Sequence, residues 1–235
     1  MKRKVMLIVG MLAIGFVGFS QAVKDRQVIP VSVNLNQVLR MTILNGGNIE
    51  FVFNSIDDYR LGLSGDPVTS GSANPATLEN FYITDFTVAS STRWHLNYGS
   101  EEATFIGTDD PGNTLALTNV GFTLSNTAAA GHDFEGAANA QGTTADAELW
   151  SAPTLNGTEV VAISPYPEML IDDNGAASAN AGDADDNTFQ IIWRCGTGED
   201  AGTFLPMETE SILNQDPSPA PDRYVTNVLF ELGVD

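Results

Sequence analysis

Short segments in which apolar residues occupy every second position recur along this chain of 235 residues. An extended strand places alternate side chains on one face, so this period of two predicts strands with a buried face and a wet face. Gly, Pro and Asn cluster between the segments, where tight turns require them. Because sustained helical periodicity is lacking, the sequence predicts an all-β protein built as an antiparallel β-sandwich.

The first alternating segment after the N-terminal leader is Val28–Leu35. A strand here would place four apolar side chains on one face: Ile29, Val31, Val33 and Leu35. Pro30 cannot donate a backbone hydrogen bond, which favours a sheet edge. Such a strand can complete the chain's own sandwich or pair with a neighbouring copy. Residues 23–35 are therefore the candidate for an exchanged strand.

The last alternating segment, Tyr224–Leu232, is predicted to be the strand that closes the core. Its core-facing residues are predicted to be Tyr224, Val228, Phe230 and Leu232. The sequence alone does not decide which of the two terminal segments would be exchanged.

Residues 1–22 have the features of a secretory signal peptide. Three basic residues precede the apolar run Val5–Phe19, and the small residues Ser20 and Ala22 suit cleavage. The run is shorter than the roughly 20 residues of a spanning helix, which argues against a membrane anchor. We therefore expect a secreted or cell-surface protein with a single mature domain, residues 23–235, and no membrane segment after cleavage.

The mature chain is strongly acidic. Removing the three basic residues of the leader changes the formal net charge from −20 to −23. Nucleic acids and anionic membranes are poor partners for such a chain because they would repel it. The acidity is interpreted either as a solubilising surface or as the source of loops that bind a divalent cation.

A β-hairpin is predicted near the N-terminus. Leu39, Met41 and Ile43 alternate before the turn signal Asn45–Asn48, and Ile49–Phe53 alternates after it. Ser55–Tyr59 is predicted to be a single helical turn capped by Ser55. Further strands are predicted at Phe81–Ala89, Arg93–Gly99, Leu115–Thr118, Val120–Leu124, Glu159–Ser164 and Phe189–Arg194.

Two long segments of acidic and small residues, 125–147 and 172–187, are predicted to be loops. The second contains Asp183, Asp185 and Asn187, whose spacing matches the start of a calcium loop. The rest of that pattern departs from it, since Thr188 replaces the turn glycine and Arg194 replaces the bidentate acid. Calcium is therefore one hypothesis for this loop, and a solvated turn is the other; no other cofactor is predicted.

The sequence contains no recognisable catalytic motif, and we predict that the chain is not an enzyme. Cys195 is the only cysteine, so an intramolecular disulfide is excluded. A buried thiol is the favoured interpretation, and an interchain disulfide is the alternative. The alternating aromatic residues Trp94 and Tyr98 indicate core packing, with a carbohydrate-stacking surface as the alternative.

The leader, the alternating N-terminal segment and the closing segment Tyr224–Leu232 together resemble subunits of bacterial surface fibres with immunoglobulin-like folds. The resemblance implies an immunoglobulin-like sandwich that polymerises with other copies of itself by strand complementation. The chain departs from disulfide-bearing pilins in having one cysteine. The expected function is a structural subunit of a filament or surface layer. The alternative is a monomeric adhesin that binds surface glycans, with or without calcium.

Overall fold

The computed structural model describes residues 27, 29–65, 82–127, 132, 148–149, 160–172, 180–198 and 205–234. The chain divides into two units, Met1–Asn36 and Gln37–Asp235. In the first unit, residues 27 and 29–36 are described, and they form neither helix nor strand. The predicted signal peptide lies outside the described residues.

Within the described ranges, the regular secondary structure of the second unit is mostly β-strand. Its strands are β1 (Leu39–Asn45), β2 (Leu63–Ser64), β3 (Ile83–Ser90), β4 (Trp94–Ser100), β5 (Thr104–Gly107), β6 (Thr114–Ala116), β7 (Val120–Asn126), β8 (Glu148–Leu149), β9 (Val161–Ala162), β10 (Glu168–Asp172), β11 (Thr188–Cys195), β12 (Tyr224–Val225) and β13 (Val228–Val234). One short α-helix, α1 (Ile56–Leu61), and two 3-10 turns, Leu117–Asn119 and Ile212–Asn214, complete the set.

Two antiparallel sheets form the body of this unit. One has the order β1-β3-β11-β7-β9, with β2 also paired to β11, and the other has the order β13-β4-β10-β8. Aromatic rings from the two sheets meet between them: Trp94 lies 6.0 Å from Phe189, and Tyr98 lies 5.4 Å from Phe122 between ring centroids. The predicted all-β sandwich is therefore confirmed. A third, smaller sheet has the order β12-β5-β6.

Alternation in the sequence predicts the buried face of the central strands correctly. In β3, Phe86 and Val88 are fully buried between less buried neighbours. In β4, Trp94, Leu96 and Tyr98 are fully buried, as the pattern predicts, and Gly99 and Ser100 at the end of the strand are buried as well. The helical turn capped by Ser55 is also confirmed, because the Ser55 hydroxyl accepts a hydrogen bond from the Asp58 N–H at 3.1 Å.

Only the first strand of the predicted N-terminal hairpin forms. β1 forms, but Ile49–Phe53 is not a strand, although its alternate side chains are half-buried against the core. Gly46 adopts φ +63°, and an added Cβ would lie 1.9 Å from the Ile83 carbonyl oxygen. The chain therefore leaves β1 packed closely against β3, and the next segment covers the core, with Phe51 stacked at 4.5 Å on Tyr82.

The predicted loop 125–147 lies mostly outside the described residues, whereas residues 172 and 180–187 of the predicted loop 172–187 are described. Where they are described, their limits differ from the prediction: Ser125 and Asn126 belong to β7, and Asp172 ends β10. These residues are held in strands because β7 pairs with β11, and β10 pairs with β4 and β8.

Candidate assembly site

The predicted assembly segment, which we call the ribbon (Ile29–Leu35), is exposed. Its four apolar side chains, Ile29, Val31, Val33 and Leu35, are 79–89% exposed. A β-strand requires hydrogen bonds from a neighbouring strand, and residues 29–36 have no strand structure. The predicted strand at Val28–Leu35 is therefore not formed over the described residues 29–35 of the single chain. Pairing with a neighbouring copy stays a prediction.

The predicted closing segment is two strands rather than one. Tyr224 and Val225 form β12 in the small sheet, whereas Val228 begins β13 in the sandwich. The chain changes sheets at Thr226 and Asn227. Here the hydroxyls of Ser100 and Thr226 lie 2.6 Å apart, and the Glu101 N–H donates to the Asn227 carbonyl at 3.0 Å.

The other three predicted closing residues remain together on β13. Val228, Phe230 and Leu232 are half-buried and pack against the core. The Phe230 ring lies 6.3 Å from Phe86 and 6.5 Å from Tyr98. β13 is an edge strand, since β4 is its only strand partner among the residues that the structure describes. Its partial exposure therefore reflects its position at the rim of the sandwich.

Tyr224 is held in the small sheet by its own surroundings. Its hydroxyl donates to the Ala220 carbonyl at 2.7 Å. The Asp222 carboxylate accepts hydrogen bonds from the Asn113 side chain at 3.0 Å and from the Asp109 and Asp110 N–H groups at 3.0 and 3.1 Å. The Asn113 bond, followed by these backbone bonds, lowers the pKa of Asp222 to about 2. This carboxylate ties the strand that follows it to the β5–β6 turn.

The predicted calcium ligands have different environments. Asp183 accepts a hydrogen bond from the Asp185 N–H at 2.8 Å, which stabilises the turn, and both acids are exposed. Asn187 is fully buried, and its side-chain amide donates to the Asn180 carbonyl at 3.1 Å. Within the described ranges, no group of three His, Cys, Asp or Glu residues is placed to hold a metal. The calcium hypothesis therefore gains no support from this turn.

The aromatic stripe of β4 belongs to the core. Trp94 and Tyr98 are fully buried, so they do not offer a carbohydrate-stacking surface. The Trp94 N–H donates to the Asn180 side-chain oxygen at 3.1 Å, and the indole N–H donates to the Asn180 carbonyl at 2.7 Å. Asn180 thus holds the first residue of β4, and Asn187 in turn holds Asn180.

Cys195 is a buried free thiol, as predicted. Burial raises its pKa to about 12. A thiol in this state has little thiolate at neutral pH and reacts slowly, which disfavours the interchain disulfide.

Comparison of the chain with protein-family models and with curated proteins gives no match. No helix among the described residues is long and apolar enough to span a membrane.

Proposed function

We propose that this chain is a secreted structural subunit that assembles with copies of itself into an extracellular filament or surface layer by β-strand complementation. One observation carries the proposal: the apolar side chains of a seven-residue alternating segment are exposed. A contiguous exposed apolar segment of this kind marks an interaction site. An extended segment can add to an exposed sheet edge through its main chain, while its alternate side chains fill the apolar surface.

Burial of the ribbon would contribute a large favourable term to the free energy of association. Each Val, Leu or Ile side chain contributes about 1.5–3 kcal/mol when it moves from water to an apolar site. Four such side chains supply roughly 6–12 kcal/mol before the cost of ordering the segment. Hydrogen bonds along the added strand give the directionality that a regular polymer requires.

Charge distribution supports the same function. A mature chain with a formal net charge of −23, after loss of the three basic residues of the leader from a total of −20, repels its own copies at most points of its surface. The ribbon has no charged residue, and Glu231 is the only charged residue of β13. These two segments can therefore come together without bringing many like charges into contact.

Deletion of residues 23–35 from the mature chain tests the proposal. We expect the shortened protein to remain folded, because every described strand lies in Gln37–Asp235, and to lose its polymers. Negative-stain microscopy and light scattering measure assembly, and circular dichroism measures the fold.

A matched pair of variants separates the apolar face from the length of the segment. Replacing Ile29, Val31, Val33 and Leu35 together by Ser should abolish assembly. Replacing Ser32 and Asn34 by Ala alters the opposite face and should preserve it. Polymers that persist after the deletion, or a mature protein that remains monomeric at high concentration, would contradict the proposed function.

A further inference from the structure

We propose that the free edge of β13 is the acceptor for the ribbon of a second copy of this chain, which pairs antiparallel with Val33 opposite Phe230. This inference rests on the proposed function and deepens it, because it specifies the surface and the register of the contact. It depends on three features: the regularity of the β13 edge, the direction of its backbone groups and the position of Pro30.

β13 is the more regular of two neighbouring edge strands. It pairs with β4 over all seven residues, Val228–Val234, without a shift in register. β1, the edge of the other sheet, has an irregular register between Ile43 and Asn45, and the Asn45 side chain donates to Asp85 at 2.6 Å. An irregular edge is a poor template for a further strand, whereas a straight edge without proline is a good one. β13 is therefore the better acceptor.

On the side away from β4, where no described strand pairs with β13, the strand has backbone hydrogen-bonding groups at the positions of its apolar residues. The Asn227 carbonyl accepts from Glu101, so the backbone groups of Asn227 face β4. Because these groups alternate in an antiparallel pair, those of every even-numbered residue from Val228 to Val234 face the free edge. Val228, Phe230 and Leu232 belong to this set, and their half-buried side chains leave apolar surface uncovered at the rim.

The ribbon has the complementary arrangement. Its apolar side chains are all on odd-numbered residues, and in a strand the backbone groups of those residues face a single edge. Pro30, which lacks an N–H, belongs to the even-numbered set and faces the other edge. Pairing the odd-numbered residues with β13 therefore loses no hydrogen bond to Pro30. With Val33 opposite Phe230, the seven residues of the ribbon match the seven of β13, and both apolar sets lie on the core face.

A proline scan of the mature chain tests the pairing. Val31→Pro and Val33→Pro each remove an N–H that points to β13, and both should abolish polymers while the side chain stays apolar. Ser32→Pro and Asn34→Pro remove N–H groups on the opposite edge, and both should assemble as the unchanged chain does. Equal loss in all four variants, or assembly of the Val31 and Val33 variants, would overturn the inference.

A cross-linking experiment tests the acceptor and the register. In this register Ser32 lies opposite Glu231 in a non-hydrogen-bonded pair, where Cα atoms are about 4.5 Å apart, within disulfide range. A tagged Ser32→Cys chain mixed with an untagged Glu231→Cys chain should give a disulfide dimer that contains both chains. The control partner Leu229→Cys, on the same face of β13, should give much less dimer, because a diagonal neighbour lies about 7–8 Å away, beyond the span of a disulfide. Cys195 is buried and does not interfere.

The outcomes distinguish failure of the proposed function from failure of the β13 assignment. A mature chain that forms no polymer contradicts the proposed function. Polymers without the odd–even proline pattern, or cross-linking through Leu229→Cys in preference to Glu231→Cys, overturn only the assignment of β13 and its register. A third variant carries both Ser32→Cys and Glu231→Cys in one chain. If this variant forms the disulfide within a monomer while the mixed single variants form none, the pairing is within the chain and the second copy is overturned as partner.

Discussion

The ribbon and β13 are two segments of the same length and pattern with opposite environments. Each has seven residues with apolar side chains at alternate positions. In β13 the inward side chains are half-buried against the core, whereas in the ribbon they are 79–89% exposed. The pairing of β13 with β4 accounts for the difference, since a strand is fixed by the neighbour that supplies its hydrogen bonds.

A third segment shows the intermediate case. Ile49–Phe53 has the same alternation, and its inward side chains pack against the core, yet it is not a strand. Burial alone therefore does not convert an alternating segment into a strand. The comparison teaches that alternation specifies which side chains share a face, while the partner strand decides whether that face is part of a sheet.

The largest expected effect on the folded unit is that of Phe230→Ala. Phe230 contacts Phe86 and Tyr98, so its truncation leaves a cavity at the rim of the core. A buried Phe→Ala change costs about 3–5 kcal/mol, and the partial exposure of Phe230 reduces this to about 2–3 kcal/mol. Denaturant unfolding at a concentration where the protein is monomeric measures the loss.

Val31→Ala is the matched change in the ribbon. Val31 is 84% exposed, so the free energy of unfolding of the monomer should change by no more than about 0.5 kcal/mol. A loss as large as that of Phe230→Ala would mean that the ribbon is packed in the single chain, and the contrast between the two segments would be wrong.

Val33→Ala is expected to weaken assembly, by a smaller free energy than Phe230→Ala removes from the stability of the fold. The change removes about two methylene equivalents of apolar surface, worth roughly 1.6 kcal/mol at about 0.8 kcal/mol each. The critical concentration for polymerisation should therefore rise roughly tenfold. Sedimentation at a series of concentrations measures it, with Ser32→Ala as the control on the opposite face. An unchanged critical concentration would contradict burial of Val33 in the polymer.

The sequence predicts the central strands and their buried faces because each has a strong local pattern. β3, β4, β7 and β11 lie where alternation places them, apart from one or two residues at their ends. The division of Tyr224–Leu232 between two sheets was not predictable in this way. It depends on contacts of Thr226 and Asn227 with Ser100 and Glu101, which are more than 120 residues away in the chain.

The candidate site was only partly predictable for the same reason. The ribbon can be recognised in the sequence by its alternating apolar residues. The edge position of β13 depends on the order of the strands in the sheet, which no local pattern specifies. Asn187 fits a calcium spacing, yet it is buried and bonded to Asn180, a residue that the sequence gives no reason to select. A polar residue in an acidic loop has the same local pattern whether it faces solvent or the core.

The smallest expected effect is a difference in acid sensitivity between β12 and β13, the two strands into which the closing segment divides. The pKa of Asp222 in the folded chain is about 2, below its ordinary value of 3.8, so its hydrogen bonds stabilise the fold above pH 3.8. This contribution is lost as the pH falls from about 3.8 to about 2. Acid should therefore loosen β12, which follows Asp222, before β13, which packs on the core. NMR of the backbone amides of Val225 and Phe230 during an acid titration measures the order of the two changes.

Asp222→Asn is the control for this titration. It removes the ionisable group, so the signal of Val225 should lose its pH dependence between about 2 and 3.8, while that of Phe230 should behave as in the unchanged chain. If Val225 and Phe230 instead change together in both proteins, β12 and β13 open as one unit. The closing segment would then act as a single strand despite its division between two sheets, because its stability would come from the core through Phe230 and not from the hydrogen bonds of Asp222.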